Sequence, residues 1–458
     1  MRGFDDVNVN VNVGSTYQSK SCAGVQKSHS GVYKFDPEPP HILRSTIKNS
    51  PLSGITFPSF IAILYHKRKS IEWYRYSHRL LVLFLMSIFN SYLSLLEYVY
   101  ILYLYTFRRR SVVQMANQTH LHHHPVFVLG HPRTGTTLLH SLLALDTERF
   151  AICDTFMVGF PHCFLWFERI GKFLFSGILS ETRPMDNMKL HFDLPQEDEL
   201  GTNLLSGLSV SPYTSLVFMK DERHYRKYQC FKEDEVNKDQ TRRWVRSCRY
   251  FLWKIGLRDL LLRRRQQRND DISAGIPRRI VLKSPCHTGR VRLLLKLFPD
   301  AKFIFIHRNP YEVFLSSAHL ASTTYGWMFL QQPSDEDLQE YILKQGEILH
   351  DEYFSCRSDE SLLLYKKNCV EVSFEKLTLD PVGSMRDIYH KLGFDSFDPN
   401  AKSLYPDRLK VECEQLKGYQ RNNFSDVILD QELKDTIKNR WKNQFEVLGY
   451  SRDYSWGM

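Results

Sequence analysis

The stretch from Pro125 to Leu145, PVFVLGHPRTGTTLLHSLLAL, constrains the fold of this chain more than any other. It opens with a short β-branched and aromatic run, residues 126–129, which is typical of a buried strand in a parallel sheet. A glycine- and threonine-rich turn follows, and from Thr136 onward leucines recur at helical spacing. Backbone N–H groups in such a turn bind anions together with the positive end of the helix dipole. The stretch therefore predicts a strand, a phosphate-binding loop and a helix in succession.

The side chains of this loop narrow the choice of ligand. Gly130 and Gly135 have the spacing of the nucleotide-triphosphate signature G-x-x-x-x-G-K-[ST], but Thr136 stands in the place of the lysine. A loop without that lysine is poorly suited to a magnesium-bound triphosphate. Arg133 and the paired hydroxyls of Thr136 and Thr137 can instead hold a smaller phosphoryl-sulfuryl group. The alternative interpretation is a tight turn that binds no ligand.

The charge balance favours anionic ligands. The 458 residues include 61 lysines and arginines against 51 aspartates and glutamates, which gives a net charge of +10. This excess favours anionic ligands or surfaces, but it does not by itself argue for nucleic acid, and no nucleic-acid partner is expected. The nine cysteines include no CxxC pair, so neither a zinc framework nor a compact disulfide scaffold is expected. Cysteine usage fits a cytosolic enzyme or a luminal one with one or two bridges.

The N-terminal region divides into a polar tail and an apolar segment. Residues 1–58 lack a periodic apolar pattern and predict a disordered or loosely attached tail. Residues 59–120 predict a hydrophobic helical segment, because Leu80 to Leu96 contains no charge and, after Glu97, the chain stays apolar through Phe107. That length can span a bilayer as a transmembrane anchor. The alternative is a pair of helices packed on the domain, since Asn90 and Glu97 are unfavourable in lipid.

Basic residues around this segment predict its orientation. More of them precede the apolar run than follow it, which favours a cytoplasmic N-terminus and a luminal catalytic domain, as in the Golgi. The two sets are Lys67, Arg68, Lys69, Arg75 and Arg79 before the run, and Arg108, Arg109 and Arg110 after it. Asn117 would then be a glycosylation acceptor. A cytoplasmic location is the alternative.

Two further apolar runs predict strands of the same sheet. Residues 279–285, RIVLKSP, and residues 302–307 flank a helix predicted over 289–298, an order that makes the two strands parallel. Lys283 and Arg308 stand at the carboxyl ends of these strands, where α/β sheets bind ligands. Ser316 follows Arg308 by eight residues on a predicted helix, so both side chains can face one anion. Residues 369–374 predict one more strand.

A cluster of acidic residues allows two interpretations. Glu197, Asp198 and Glu199 follow Leu194-Pro195, a helix start whose first turn favours carboxylates. Helix initiation explains the cluster completely, and a catalytic base among the three is the competing interpretation. Farther along the chain, Arg421 in the loop GYQRNN is either an anion contact or a solvated side chain.

Four motifs occur along the chain in the order GHPRTGTT, VLKSP, HRNPYEVFLSS and VSFEKLTLDP. Together they resemble the sulfotransferase family that uses 3′-phosphoadenosine-5′-phosphosulfate (PAPS), in particular its sulfotransferase-3-like branch, over residues 125–449. The resemblance implies an α/β fold of the P-loop type, with a central parallel β-sheet flanked by helices on both faces. It also implies a sulfotransferase domain at residues 121–458 with PAPS as co-substrate.

The resemblance assigns residues to the two ends of PAPS. The loop from Gly130 would hold the 5′-phosphosulfate through Arg133, Thr134, Gly135, Thr136 and Thr137. Arg308 and Ser316 match the pair that binds the 3′-phosphate, and Arg421 approximates the basic motif that closes on it. Arg133 and Lys283 would stabilise the charge that develops on the bridging oxygen and on the sulfuryl oxygens. No metal ligand set is evident, and the reaction needs none.

The chain departs from the family pattern at the position of the general base. Pro285 occupies the position of the family's general-base histidine, and the nearest imidazole is His287, two residues on. His287 is therefore the provisional base, and the carboxylates of Glu197, Glu199 and Asp154 are the alternatives. Better-known cytosolic members also have lysine in the place of Arg133, whereas Lys283 aligns.

Three hypotheses for the function remain. The first is a membrane-tethered or membrane-associated sulfotransferase, whose acceptor is a hydroxyl or amine of a glycan, lipid, protein or small molecule. The second is a P-loop kinase or nucleotide hydrolase, against which the missing lysine argues. The third is a non-catalytic anion-binding protein that keeps the fold. The sequence leaves the acceptor, the disulfide pairing and the oligomeric state open.

Overall fold

Five strands form the sheet on which the molecule is built. The computed structural model describes residues 31–35, 52–108, 113–114, 116, 124–177, 183, 186, 188–266, 278–398, 400, 403–418, 424, 427 and 429–453. The strands are β1 (Val126–Leu129), β2 (Phe150–Ile152), β3 (Arg279–Lys283), β4 (Lys302–His307) and β5 (Cys369–Ser373). Strands β1, β3, β4 and β5 coincide with the apolar runs of the sequence.

Helices surround the sheet along most of the described chain. In the N-terminal half they are α1 (Phe57–His66), α2 (Ser77–Tyr103), α3 (Thr136–Ala144), α4 (Thr155–Gly159), α5 (Phe164–Phe175), α6 (Asp198–Leu205), α7 (Glu222–Tyr225) and α8 (Lys238–Gln266). In the C-terminal half they are α9 (Val291–Leu297), α10 (Pro310–Thr324), α11 (Asp335–Ser358), α12 (Leu363–Asn368), α13 (Phe374–Leu379), α14 (Pro381–Leu392), α15 (Tyr405–Leu416), α16 (Gln431–Arg440) and α17 (Lys442–Leu448). A π-helical turn, Leu104–Arg108, extends α2.

The sheet is parallel throughout, with the strand order β2-β3-β1-β4-β5. Strand β1 lies in the middle, where Phe127 is opposite Leu282 on β3 and Phe303 on β4. The chain forms first the edge strand β2 and then β3 on one side of β1, and afterwards β4 and β5 on the other side, which makes the carboxyl end of β1 a topological switch point. Ligands of open α/β sheets bind at such a point. The predicted phosphate loop begins there.

The strands bury both of their faces. Phe127 and Leu129 of β1 belong to one hydrophobic core, and Val126 and Val128 belong to a second. This alternation follows from the two-residue period of a strand. The second core is closed by α3, α14 and α15, and the first by helices that include α8, α10 and α11. The predicted fold, a central parallel sheet with helices on both faces, is confirmed.

The N-terminal region contacts the domain at several places, of which residues 31–35 and α2 bear on the sequence predictions. Within the segment predicted as a tail, Tyr33 and Phe35 are buried, and the backbone N–H of Tyr33 donates to Gln339 Oε1 at 2.8 Å. Residues 31–35 are therefore attached to α11. Helix α2 with its π turn, residues 77–107, is long and apolar enough to cross a membrane by length and composition. One of its faces nevertheless packs on the domain, which is the arrangement of the packed-helix alternative.

Some elements differ from the sequence prediction. Strand β2 was not predicted, because three residues at the edge of a sheet leave no readable pattern. The helix predicted from Gly289 begins at Val291, after a 3₁₀ turn over Pro285–Arg290. Near the C-terminus, α16 and α17 are separated at Trp441, where the backbone leaves the helical region at φ −104° and ψ 25°.

Candidate functional site

The loop between β1 and α3 has the backbone of an anion cradle. Gly130 and Gly135 have φ angles of 148° and 96°, which side chains rarely tolerate. A Cβ atom on Gly130 would lie 2.5 Å from the carbonyl oxygen of Ile306, and one on Gly135 would lie 2.4 Å from the ring of Phe374. The glycines are thus required both by the loop conformation and by the close approach of neighbouring elements. The loop delivers the N-terminus of α3, with Gly135 as its N-cap, to the switch point.

The polar side chains of the loop have different tasks. The hydroxyl of Thr134 is buried and donates to the carbonyl of His131 at 2.8 Å, so it holds the loop together. Thr136 and Thr137, at the start of α3, line the cavities described below. Arg133 Nε donates to Ser316 Oγ at 3.0 Å. The predicted phosphate contacts therefore converge, except that Thr134 acts through the loop backbone.

Arg133 is held from a second side by an acidic residue. Its Nη1 donates to Asp186 Oδ2 at 2.9 Å, and Arg183 also lies close to Asp186. Burial acts to raise the pKa of the Asp186 carboxyl, but Arg183 and Arg133 outweigh burial and hold that pKa below its usual value. Asp186 therefore stays ionised and orients the guanidinium of Arg133 across the loop.

Arg308 and Ser316 lie together, as their spacing predicts. They line a cavity of about 450 Å³ that also contains the loop threonines and Arg133. Glu312, one turn along α10, accepts from Arg308 Nε at 2.7 Å, and Arg308 Nη1 donates to the carbonyl of Arg133 at 3.3 Å. The far wall of the cavity is apolar and includes Leu142 and Leu416. One cavity thus offers cations at two places and an apolar wall for a nucleoside.

Lys283 connects the loop with the acidic cluster. Its side chain is 1% exposed, and Nζ lies 2.8 Å from Glu197 Oε1 and 3.4 Å from Thr137 Oγ1. The other oxygen of Glu197 accepts from the hydroxyl of Tyr213. Burial and the charge of Glu197 raise the pKa of the Tyr213 phenol well above its usual value, so the phenol stays protonated. Within the acidic cluster, Glu197 lines the second cavity described below, whereas Asp198 and Glu199 line neither of the two cavities at the loop.

The geometry does not place His287 at a cavity. Its imidazole is fully buried, and Nε2 lies 2.8 Å from Asp198 Oδ2. Burial acts to raise the pKa of Asp198, but His287 and Ser284 outweigh it and lower that pKa. Asp198 therefore holds the imidazole in the interior, behind the loop. This arrangement gives no support to the provisional role of His287 as base.

Glu199 and Asp154 have structural partners. Glu199 is completely buried, where it accepts from Arg290 Nη1 at 2.7 Å and from Trp244 Nε1 at 3.0 Å. Asp154 caps α4 by accepting from the N–H of Met157 at 2.8 Å, and Lys172 Nζ lies 3.1 Å away. Neither side chain lines the cavities at the loop. Both carboxylates are therefore explained by the fold.

A second cavity meets the first at the phosphate loop. Its volume is about 290 Å³, and it shares Arg133, Thr136 and Thr137 with the first cavity. Glu197 and Tyr213 line it, and most of its remaining wall is apolar. That wall includes Pro132, Val158, Leu190, Leu200, Leu204, Leu216, Pro285, Leu320, Met328, Tyr325 and Tyr341. A group bound at the loop can therefore face one molecule in each cavity.

Comparison with known proteins decides the family. The family model described as "Sulfotransferase family" matches residues 125–399, more than half of the chain. The chain belongs to the sulfotransferase family. Two similar curated proteins, from Mycobacterium bovis and Mycobacterium tuberculosis, are each named omega-hydroxy-beta-dihydromenaquinone-9 sulfotransferase Stf3. Each is 30% identical over 402 residues, which cover 87% of this chain and 91% of the relative.

Solved structures of sulfotransferases share the fold. STF1 from Mycobacterium tuberculosis matches with a TM-score of 0.50 and 18% identity, covering 83% of this chain and 90% of STF1. STF9 from Mycobacterium avium matches with a TM-score of 0.50 and 17% identity, covering 87% of this chain and 97% of STF9. The chain is therefore a PAPS-dependent sulfotransferase, and the kinase and anion-binding alternatives fall away.

Some predictions on this sulfotransferase remain untested by the structure. Arg421 and Asn117 lie outside the described residues. The relatives are mycobacterial, so they give no support to a Golgi location. Among the described residues, Asp154, Glu168 and Asp193 approach one another closely enough to hold a metal ion, but the ammonium of Lys172 lies among them. The absence of a metal stays a prediction, and the eight described cysteines are free.

Two residues of the site were not predicted from the sequence. Tyr213 contacts Glu197 from a 3₁₀ turn, Pro212–Leu216, in a segment without a recognisable motif. Asp186 sits in the acidic stretch that follows Arg183, where its spacing gives no sign of the contact with Arg133. Both contacts join segments more than ten residues apart, so local pattern carries no signal for them.

Proposed function

We propose that this sulfotransferase transfers the sulfuryl group of PAPS to the hydroxyl of an elongated, mostly apolar acceptor. We call the first cavity, which contains Arg308 and Ser316, the donor cavity, and the second cavity the acceptor cavity. The proposal rests on the acceptor cavity, whose wall is largely apolar and which joins the donor cavity at Arg133, Thr136 and Thr137. A volume of about 290 Å³ holds only the reacting end of such a molecule. The Stf3 relatives are named for an omega-hydroxylated dihydromenaquinone, which agrees with an acceptor of this kind.

We propose Glu197 as the general base. It lines the acceptor cavity, whereas His287 and Glu199 are fully buried and paired with other side chains. Glu197 is held by Lys283 and Tyr213 from two directions, which fixes its carboxylate next to the loop. A carboxylate in this position can accept the proton of the acceptor hydroxyl.

The transfer uses the cations on the donor side. The acceptor oxygen forms a bond to sulfur while the bond from sulfur to the bridging oxygen of the 5′-phosphate breaks, and the proton passes to Glu197. The bridging oxygen gains negative charge as adenosine 3′,5′-bisphosphate (PAP) leaves. Lys283, 3.4 Å from Thr137 Oγ1, and Arg133 are the cations close to that point. Fixed charges of this kind supply several kcal/mol of transition-state stabilisation, roughly 3–4 per group.

The acceptor class can be tested with radiolabelled PAPS and a series of linear primary alcohols. If the cavity binds methylene groups, kcat/KM rises about fourfold for each CH₂ until the cavity is filled, from about 0.8 kcal/mol per buried methylene. A sugar alcohol of similar size serves as the polar control. Equal kcat/KM along the series would contradict an apolar acceptor, and no transfer to any alcohol despite binding of PAP would contradict transfer to hydroxyls.

The base is tested by Glu197→Gln. The amide keeps the size of the side chain but cannot take the proton, so kcat falls by about 10²–10⁴ while the Kd of PAP stays near that of the wild type. Glu222→Gln is the matched control, since Glu222 pairs with Arg226 outside both cavities. A kcat for Glu197→Gln within a fewfold of the wild type would exclude Glu197 as the base.

We also propose that the enzyme works at a membrane, on the basis of the long apolar helix α2. An acceptor with an apolar body partitions into lipid, so an enzyme at the membrane meets it at high local concentration. A Golgi location is not part of the proposal. Sedimentation of the full chain with cell membranes checks the association, and recovery in the soluble fraction alone would contradict it.

A further inference from the structure

In the described part of the chain, the N-terminal helices expose a wide apolar surface. Between Leu80 and Phe107, all of which the structure describes, no Asp, Glu, Lys or Arg side chain is exposed. The exposed side chains recur at intervals of three and four, which places them on one side of α2 and its π turn. They are Leu81, Phe84, Leu85, Ile88, Tyr92, Leu95, Tyr98, Val99, Leu102, Tyr103, Tyr105 and Phe107. From Leu81 to Leu102 this stripe is roughly 32 Å long.

Two neighbouring helices widen the stripe. The ring of Phe57 on α1 lies 6.2 Å from that of Phe84, and the ring of Phe175 on α5 lies 6.4 Å from that of Phe89 on α2. Exposed apolar side chains continue onto both helices, as Phe57, Ile61 and Tyr65 on α1 and Ile170, Phe173 and Leu174 on α5. We call the exposed residues of α1, α2 and α5 together the N-terminal apolar face. Soluble proteins rarely expose apolar patches of this extent without a binding partner.

The opposite side of α2 is fixed to the domain by polar contacts. Glu97 is buried in an ion pair with Lys254 of α8, which is itself fully buried. Asn90 Nδ2 donates to the carbonyls of Ser53 and Ile55 at 2.7 and 3.1 Å. If α2 left the domain to span a bilayer alone, Lys254 would lose its partner and Glu97 would enter hydrocarbon, and both changes are costly. These contacts favour a helix that lies along the domain and offers only its outer side.

The residues at the border of the N-terminal apolar face indicate what kind of surface binds to it. At the connection between α1 and α2, Arg68, Lys69 and Arg75 are exposed beside Trp73 and Tyr74, and Tyr74 is 99% exposed. Tryptophan and tyrosine are enriched at the level of lipid head groups, and lysine and arginine attract anionic lipids. This combination fits the surface of an anionic bilayer better than a second protein chain.

The acceptor cavity adjoins the same helices. Ser53 and Gly159 line that cavity and are half-buried. The carbonyl of Ser53 is held by Asn90 of α2, and Phe160, next to Gly159, stacks on Phe175 of α5 at 5.4 Å. Part of the cavity rim is therefore built on the elements that carry the N-terminal apolar face.

We propose that the enzyme lies on an anionic membrane through the N-terminal apolar face, without spanning it, and takes its acceptor directly from the lipid. This inference rests on the proposed apolar acceptor. An acceptor dissolved in the bilayer then reaches Glu197 with its hydroxyl first, while its apolar body stays in lipid. The α1–α2 connection contacts the head groups, and the catalytic domain remains on one side of the membrane.

Vesicle flotation of the full chain tests the membrane contact. The wild type should float with vesicles of phosphatidylcholine mixed with phosphatidylglycerol, and less with phosphatidylcholine alone. The double variant Ile88→Glu/Leu95→Glu should stay at the bottom of the gradient, because two charges now interrupt the face. Val447→Glu is the matched control, since Val447 is an exposed apolar residue on α17, and it should float as the wild type does.

Three results would overturn the proposal. The wild type could fail to float with either vesicle, or the double variant could float like the wild type. The wild type could also be a dimer that becomes monomeric in the double variant, which would assign the face to a second copy of the chain. An unchanged unfolding midpoint shows that the double variant is folded; if it unfolds early, Leu85→Gln replaces it and should weaken flotation.

Topology and catalysis are measured separately. Ser77→Cys, before the apolar run of α2, and Ser358→Cys, at an exposed position of the catalytic domain after it, should both react with a membrane-impermeant maleimide on intact vesicles, after subtraction of wild-type labelling. Reaction of one site only after lysis would mean that the helix spans. Transfer to a short water-soluble alcohol should be equal in the wild type and the double variant. Flotation without transfer by the wild type would contradict the proposed function and leave the membrane contact standing.

Discussion

Three buried histidines should make this enzyme sensitive to mild acid. His131 belongs to the phosphate loop, His140 to α3 and His350 to α11, and all three are buried. Burial lowers the pKa of His131 and His140 to about 3 and that of His350 to about 4. The rings of His131 and His350 stack at 5.9 Å, so a charge on one opposes a charge on the other. The folded protein therefore keeps these imidazoles neutral.

The sign and size of the effect follow from proton linkage. An unfolded histidine has a pKa of about 6.5, so below that pH the unfolded state binds protons that the folded state cannot. The stabilisation is fully present above about pH 6.5 and is lost as the pH falls toward about 4. As the pH falls from about 7.5 to 5.5, each histidine lowers the free energy of unfolding by about 1.4 kcal/mol, which is about 4 kcal/mol for the three. That loss is a large part of a typical stability of about 5–15 kcal/mol.

Urea unfolding followed by tryptophan fluorescence measures this loss. The free energy of unfolding should fall by at least about 4 kcal/mol from about pH 7.5 to 5.5, because burial also lowers the pKa of His162, to about 4. His350→Gln should reduce the fall by about 1.4 kcal/mol, because the amide does not titrate. His191→Gln is the control, since the His191 side chain is 70% exposed and its replacement should leave the fall unchanged. A free energy that stays constant over this pH range would refute the reasoning.

Three further predictions concern the site and α2. Arg308→Ala should raise the Kd of PAP about ten- to hundredfold by isothermal titration, from the loss of a charged hydrogen bond, and unchanged affinity would contradict its role in the donor cavity. Gly135→Ala should lower kcat/KM for PAPS, whereas Gly449→Ala, at a similar positive φ but with open space around it, should leave this value unchanged. Glu97→Ala should destabilise the protein by about 3–5 kcal/mol in urea unfolding, because Lys254 stays buried without its partner, and the double replacement by methionine should recover most of that loss.

The donor half of the site could be predicted from the sequence. Strand β1, the loop and α3 are contiguous, so their order and the glycine spacing define the cradle without reference to the rest of the chain. Arg308 and Ser316 lie at fixed places relative to β4 and α10, and parallel strands bring their carboxyl ends to one edge. Local periodicity and connectivity were sufficient, because each of these elements carries its own pattern.

Only the tertiary structure separated the candidate bases. Glu197 is the N-cap of α6 and has an extended backbone, whereas Asp198 and Glu199 are the first two helical residues, whose side chains point about 100° apart. One therefore faces the acceptor cavity, the next holds His287, and the third pairs with Arg290 in the interior. No sequence pattern distinguishes these directions, since they depend on which elements surround the helix.

Helix α2 is a second case in which the sequence predicted an element and the tertiary structure decided how it packs. The sequence predicted a long apolar helical run from Leu80 to Phe107, which is compatible both with a span and with a packed helix. The tertiary structure supplied Lys254, far along the chain, as the buried partner of Glu97. Burial of an unpaired charge is expensive, so this contact fixes which side of α2 meets the protein. The sequence by itself determined four of the five strands and the donor loop, because their patterns are local, and long-range packing decided which carboxylate lines the second cavity and which side of α2 is exposed.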